Sequence, residues 1–178
     1  MIHHQQGFIV EPTRKGNFFF ADTIVNLNPT AEELVGIIGL TARVVRFFDT
    51  EPRIAMLSYS NFGSNRGEVP EKAARAVELT KEKWPDLVID GDIQADVALN
   101  REILAENYPF SELARNPANT LIFPDLASGN IAYKLLMELG GAEAIGPVLM
   151  GMKKPVHVLQ VGSSVRDIFN TVAIAVVD

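Results

Sequence analysis

Residues 53–91, RIAMLSYSNFGSNRGEVPEKAARAVELTKEKWPDLVIDG, hold the pattern that decides the fold. Arg53-Ile54-Ala55-Met56-Leu57-Ser58 has a continuous apolar centre, as a strand buried on both faces requires. A Gly/Ser/Asn-rich loop follows from Tyr59 to Gly67. Pro70 then opens a helix, Glu71 to Lys83, with its charges outward and Ala74, Val77 and Leu79 available inward. Leu87-Val88-Ile89-Asp90 supplies the next apolar run, ending in Gly91. Strand, loop, helix and strand in this order make a crossover unit, and crossover units build parallel sheets.

The alternation continues on both sides. Toward the N-terminus, Phe18-Phe19-Phe20-Ala21 is a short strand-like aromatic run closed by Asp22. Asn28-Pro29-Thr30-Ala31-Glu32-Glu33 opens a helix, because Thr30 and Glu33 have capping-box spacing and Pro29 fits at or just before the first turn. That helix runs to about Phe48, where Asp49-Thr50-Glu51-Pro52 ends it. Toward the C-terminus, Ala95 to Asn107 reads as helix with a turn at Tyr108-Pro109. Thr120-Leu121-Ile122-Phe123 is a strand stopped by Pro124-Asp125. Asn130 to Leu139 is a helix with Gly140-Gly141 as its stop. Pro147-Val148-Leu149-Met150 is a last short strand, and Val165 to Val177 a last helix. The pattern predicts an α/β fold of three layers, a mostly parallel sheet with helices on both faces.

In such sheets ligands collect beyond the carboxyl ends of the strands. Each strand here ends in polar or Gly-rich chemistry: Asp22, Ser58-Tyr59-Ser60, Asp90-Gly91-Asp92 and Pro124-Asp125. The loop from Ser58 to Gly67 has the composition to cradle phosphates through backbone N–H groups, or to serve as a plain connector. It is not a Walker loop, since no Gly-Lys-Ser/Thr follows. Asp22, Asp90, Asp92 and Asp96 lie on separate strand ends rather than at the tight spacing of a hard-cation site, so turn and cap roles are expected and no metal.

Composition narrows the classes further. The chain has 178 residues, 16 Lys+Arg against 22 Asp+Glu, and 47% hydrophobic residues, which suits one compact unit and excludes a disordered chain. With no Cys, a disulfide scaffold and Cys-type zinc sites are excluded. His3, His4 and His157 leave little for other transition metals. The net charge of −6 argues against a nucleic-acid partner. The N-terminus lacks a charged region followed by an apolar run, and the longest nearly apolar stretch, Leu34 to Ala42, is far short of a membrane span. A soluble protein of a reducing compartment, the cytoplasm, is expected, with no membrane partner.

The strand ends carry a resemblance. Phe20-Ala21-Asp22, Asn28 to Leu34, Glu51 to Ser60, Asp90-Gly91-Asp92-Ile93-Gln94-Ala95-Asp96, Phe123 to Leu126, Gly129 to Leu135 and Gly140 to Ala144 together resemble the phosphate acetyl/butyryltransferase (phosphotransacetylase) family. The likeness covers about residues 8 to 178. It implies the isocitrate/isopropylmalate dehydrogenase-like phosphotransacetylase fold, in which two α/β domains enclose an acyl-CoA cleft. On that likeness residues 1–150 correspond to the second domain, and residues 151–178 to a C-terminal segment that returns to a first domain absent here.

One segment departs from the family. Phosphotransacetylases carry a Ser-Arg-Gly run with an Asp five residues beyond the Gly; the Arg pairs the acyl phosphate, and the Ser and Asp handle the CoA thiol proton. This chain has Gln160-Val161-Gly162-Ser163-Ser164-Val165-Arg166-Asp167. Gln160 stands for the Ser and Val161 for the Arg, and valine neither carries charge nor donates to a phosphate oxygen. Asp167 remains as a vestigial base, although Ser164 to Asp167 is itself a capping box for the last helix.

The loss resembles large bacterial NADP-dependent malic enzymes, whose C-terminal phosphotransacetylase-like domain is non-catalytic. The resemblance implies a regulatory and oligomerising domain that senses acetyl-CoA. Malate would be converted to pyruvate and CO2, with NADP and Mg or Mn, by N-terminal malic-enzyme domains of the parent chain. The fragment itself would hold no cofactor. Acetyl-CoA would contact Ser58, Ser60, Gly63 and Ser64, Asn130 at the start of its helix, and Gly162, Ser163 and Ser164. The helix from Thr30 to Phe48, apolar on most faces, is either a central helix of one domain or a dimer interface, and the resemblance favours the interface. The alternative function is a fragment of an active phosphate acetyl/butyryltransferase, moving an acyl group between CoA and phosphate.

Overall fold

The computed structural model describes residues 6–13, 16–22, 24–140, 145–151, 156–157, 159 and 162–177. Among the described residues seven strands form one sheet: β1 (Gln6–Thr13), β2 (Gly16–Ala21), β3 (Ile54–Leu57), β4 (Ile89–Ile93), β5 (Thr120–Ile122), β6 (Ile145–Met150) and β7 (Val156–His157). Their spatial order is β4-β3-β5-β2-β1-β6-β7. The first four in that order are mutually parallel, whereas β1, β6 and β7 join through antiparallel pairings. The helices are α1 (Ala31–Phe47), α2 (Glu68–Lys83), α3 (Ala95–Ala98), α4 (Arg101–Asn107), α5 (Leu126–Gly140) and α6 (Val165–Val177), with a 3₁₀ turn at Glu112–Ala114.

Strand alternation divides the core in two. Phe19, Ile54, Met56, Ile89 and Ile122 face α1 and α2, packing on Leu34, Ile37, Ile38, Ala73 and Val77. Phe20, Ala55, Leu57, Ile93 and Leu121 face the other way, onto Val97, Leu104, Leu113 and Tyr133. The chain steps from β2 through α1 to β3 and through α2 to β4, then reverses through α3 and α4 to β5. Reversing direction under a right-handed crossover rule moves the helices to the opposite face. The three-layer α/β architecture follows.

The capping box opens α1 as its spacing predicts: Glu33 N donates to Thr30 Oγ1 at 3.2 Å, and Thr30 N to Glu33 Oε2 at 2.8 Å. The apolar surface of α1 is largely consumed within this chain, for Leu34, Val35, Ile37, Ile38, Ala42, Val44 and Val45 are all buried. A second subunit would meet only its outward side, at Gly36, Leu40, Arg43 and Phe47.

Several boundaries differ from the expectations. Helix α2 starts at Glu68, and its buried stripe is Pro70, Ala73, Ala76, Val77 and Thr80. Ala74 is exposed and Leu79 only half-buried, because neither shares the 73-76-77-80 face. Strand β4 runs through Gly91 instead of stopping there. Gly91 has φ 140°, and a Cβ on it would sit 2.5 Å from the Met56 carbonyl oxygen, so glycine permits a close approach to β3 where the register shifts. The stretch from Ala95 to Asn107 divides into α3 and α4, since the Asn100 side chain accepts from Glu102 N and Ile103 N and caps a new helix. Helix α5 begins at Leu126, four residues earlier than expected, with Ser128 N donating to Asp125 Oδ1 at 2.8 Å. Strands β1 and β7 lack any counterpart in the expectations. No helix among the described residues is long and apolar enough to cross a membrane.

Candidate ligand site at the strand carboxyl ends

The carboxyl ends of β2, β3, β4 and β5 form one edge, held together by side chains from the loops that follow them. Lys72, on the first half of α2, donates to Asn28 Oδ1 at 2.6 Å and to the Pro124 carbonyl at 2.9 Å. It thereby ties the loop after β2 and the loop after β5 to the helix after β3. Burial pulls its ammonium below the usual lysine range, with Asp125 and Glu68 opposing. Gly129 packs α5 tightly onto this edge: a Cβ there would lie 3.0 Å from the Asp22 carbonyl oxygen and 3.2 Å from the Phe123 ring.

The loop after β3 is closed on itself and on β4. Ser60 N donates to Ser58 Oγ at 2.9 Å, Asn61 N to Ser64 Oγ at 3.0 Å and Asn65 N to Ser60 Oγ at 3.1 Å. Phe62 N donates to the Asp92 carbonyl at 2.7 Å, Gly63 N to Asp92 Oδ1 at 3.0 Å, and Ser64 N to the Asn61 carbonyl at 3.0 Å. Every backbone N–H from Ser60 to Asn65 is thus committed, and none is left for a phosphate. This closure ties the loop to β4 and leaves the Arg66–Gly67 end, where α2 begins, as the part open to an anion. Asn61 and Gln94 exchange side-chain and backbone hydrogen bonds, and Gln94 Nε2 also donates to the Tyr59 carbonyl at 2.7 Å.

An open recess of about 300 Å³ lies beside the loop, lined by Gly63, Asn65, Arg66, Pro70, Glu71 and Asp92. Arg66 is exposed and makes no ion pair among the described residues. Helix α2 starts at its rim with no side-chain cap on its first turn. Asp92 is buried, and its Oδ2 has no hydrogen-bond partner among the described residues.

The four strand-end aspartates have separate local uses. Asp22 accepts from Val25 N and Asn26 N in the turn after β2. Asp90 meets Lys81 Nζ at 3.3 Å and accepts from Glu112 N. Asp92 holds the β3 loop, and Asp96 stands exposed in the first turn of α3. Among the described residues no group of three acidic or His side chains could hold a metal.

The expected ligand residues fall in three places. Ser58, Ser60, Gly63 and Ser64 share the β3 loop, where Ser60 is buried and Ser64 exposed. Asn130 lies within the second turn of α5 rather than at its start. Gly162, Ser163 and Ser164 precede α6, whose Ile168 N donates to the Ser164 carbonyl at 3.1 Å. Gln160, Val161, His3, His4 and the side chain of Asp167 lie outside the described residues, and with them the capping role of Asp167. Lys72, Asn61, Gln94 and Asp92 organise the edge but were not singled out as a set. The Asn and Gln at the ends of neighbouring parallel strands were the available signal, since such amides bridge adjacent loops.

Comparison with known proteins matches the fold. The chain is 48% identical to a phosphate acetyltransferase of Clostridium acetobutylicum over 164 residues, which are 92% of this chain and 49% of that protein. It is 46% identical to an NADP-dependent malic enzyme of Escherichia coli, over 92% of this chain and 22% of that protein. A crystal structure of a phosphotransacetylase from Streptococcus pyogenes superposes with a TM-score of 0.88 and 41% identity, over 97% of this chain and 54% of that one. This chain therefore spans about half the length of these two transferases, and a smaller share of the malic enzyme. The sequence profile of the family described as phosphate acetyl/butaryl transferase matches residues 5–176, and the chain belongs to that family.

Proposed function

We propose that this phosphotransacetylase-like domain binds acetyl-CoA as an effector, has no acyl transfer of its own, and regulates an NADP-dependent malic enzyme of which it is one part. The observation that carries the reading is Gln160-Val161 in the place of the family's Ser-Arg. Without that guanidinium the phosphate that accepts or releases the acyl group loses a cation that would pair with its charge. Binding of an anionic thioester does not need the same geometry, and Arg66 with the uncapped start of α2 can meet its phosphates. NADP and the divalent metal would be held by domains outside this chain.

The remainder of the parent would also cover α6. Val165 (86% exposed), Phe169 (71%) and Val172 (54%) form an outward stripe that is uncovered among the described residues, while Ile174 on the other side is buried in the core. That division suits a helix shared between this unit and a first domain.

A second reading, half of a working phosphate acyltransferase, is favoured by the 48% identity to such an enzyme. One experiment separates them. The full-length parent is assayed for acetyl phosphate formation, for acetyl-CoA binding by calorimetry, and for malate oxidation with and without acetyl-CoA. Binding that slows malate turnover, with acyl transfer appearing only after Gln160→Ser and Val161→Arg, supports the regulatory reading. Acyl transfer by the unaltered protein overturns it.

A further inference from the structure

We propose that a second recess, at the amino edge of the sheet, is a binding site for a planar aromatic anion of about nucleoside-monophosphate size. It lies between the outer face of α1, the end of α2 and the Trp84–Leu87 turn that leads into β4. Its volume is about 810 Å³, and Gly36, Gly39, Leu40, Arg43, Lys83 and Trp84 are among its lining residues. That volume falls within the range of small-molecule sites. The location is the opposite end of the strands from the Ser58–Gly67 loop, so the two recesses are separate.

Its chemistry has an aromatic part and a cationic part. The Trp84 indole is docked so closely on Gly39 that any side chain at 39 would collide with Cη2, which fixes the ring as a wall. Lys83 Nζ lies over that ring, 4.4 Å from its centroid. A cation resting there marks an electron-rich face that solvent reaches, and the flexible Lys83 can leave it for an anion while a planar group takes its place.

Charge selects the other half of the ligand. Arg46 is occupied by Glu51 at 2.9 Å. Arg43 is exposed and has no carboxylate partner among the described residues, and neither has Lys83. Only Asp86 among the lining residues is acidic. The C-terminal ends of α1 and α2 add partial negative charge, which Arg46 on α1 and Lys81 and Lys83 on α2 lie closest to. Arg43, a turn further in, is surplus to that need. On a chain of net charge −6, an unneutralised Arg and Lys beside an indole suit a heteroaromatic ring bearing a phosphate.

Trp84 is the only tryptophan of the chain, so it reports on this recess alone. The chain is titrated with AMP, adenosine and inorganic phosphate while the indole Nε1–H resonance and fluorescence excited on the red edge are followed. Saturable AMP-dependent changes are expected, at least about tenfold weaker in Arg43→Ala, with adenosine and phosphate each far weaker than AMP; Arg66→Ala, at the other edge, keeps the response. Folding of each variant is checked by circular dichroism. No response to AMP overturns the proposal. So does a response that Arg43→Ala leaves intact or that Arg66→Ala abolishes, and so does self-association that covers Trp84 and shuts nucleotide out.

Discussion

Asn61 and Gln94 hold each other by two hydrogen bonds: Asn61 Nδ2 donates to Gln94 Oε1 at 2.9 Å, and Gln94 N donates to Asn61 Oδ1 at 2.8 Å. The pair joins the loop after β3 to the end of β4 and sets the position of the residues between them. Replacing Asn61 with Ala removes both bonds and leaves a half-buried amide N–H unpaired. The expected cost is about 1–2 kcal/mol, read as a lower midpoint in urea with an unchanged slope. Amide exchange should quicken through residues 59–65 before it does in β3.

Lys72→Met removes the ammonium that bridges Asn28 and Pro124. A loss of about 1–2 kcal/mol is expected, because two acceptors lose their donor although the methionine fills a similar volume. The pH dependence has a definite sign. Burial lowers the folded-state pKa of Lys72, so the unfolded chain holds that proton more tightly, and the native protein gains stability as pH rises from the folded pKa toward 10.5. The Lys72→Met chain lacks this gain. Its deficit relative to the unaltered chain should therefore widen with pH over that window, and a constant deficit would refute the assignment.

Gly91→Ala should be among the most damaging single-methyl changes in the chain. The φ of 140° is unfavourable for any L side chain, and the new Cβ would press on the Met56 carbonyl, a backbone atom that cannot swing away. A loss of about 2–4 kcal/mol is expected from strain and overpacking together. Thermal unfolding of the purified variant, or its failure to accumulate as soluble protein, tests this.

Phe169→Glu separates the uses of the two sides of α6. Within this chain the ring is 71% exposed, and the substitution should change stability by less than about 0.5 kcal/mol. In the full-length parent the same change should lower the melting temperature by several degrees, because the charge would be buried against a neighbouring domain. Equal effects in the two proteins would mean that nothing covers this stripe.

Much of the fold was legible because the signals were local. The capping box at Thr30 and Glu33, the buried run Ile54–Leu57 and the turn residues after Ile122 each act within a few residues, and each appears where its pattern placed it. Gly91 misled because glycine reads as a stop from sequence, whereas here it serves a close contact between strands that only tertiary pairing creates. Strand β1 was missed because Gly7, Glu11 and Pro12 interrupt its apolar alternation and, although β2 follows it closely, its other partner β6 lies far away in the chain. Of the ligand edge, the Ser58–Gly67 loop was identifiable by composition. Its consumption of its own N–H groups was not, since that depends on Asp92 arriving from the next strand.

The placement of β1 has a consequence for how the chain is made. Val10 pairs across to Ile145, so β1 leaves the ribosome 135 residues before the strand that completes its pairing. Until residues 145–150 have emerged from the ribosome, β1 offers a bare hydrogen-bonding rim to whatever passes. Contacts of such long sequence separation form slowly, and unpaired rims recruit foreign strands. Nascent chains stalled before residue 145 should accordingly depend on chaperones far more than chains released beyond residue 157.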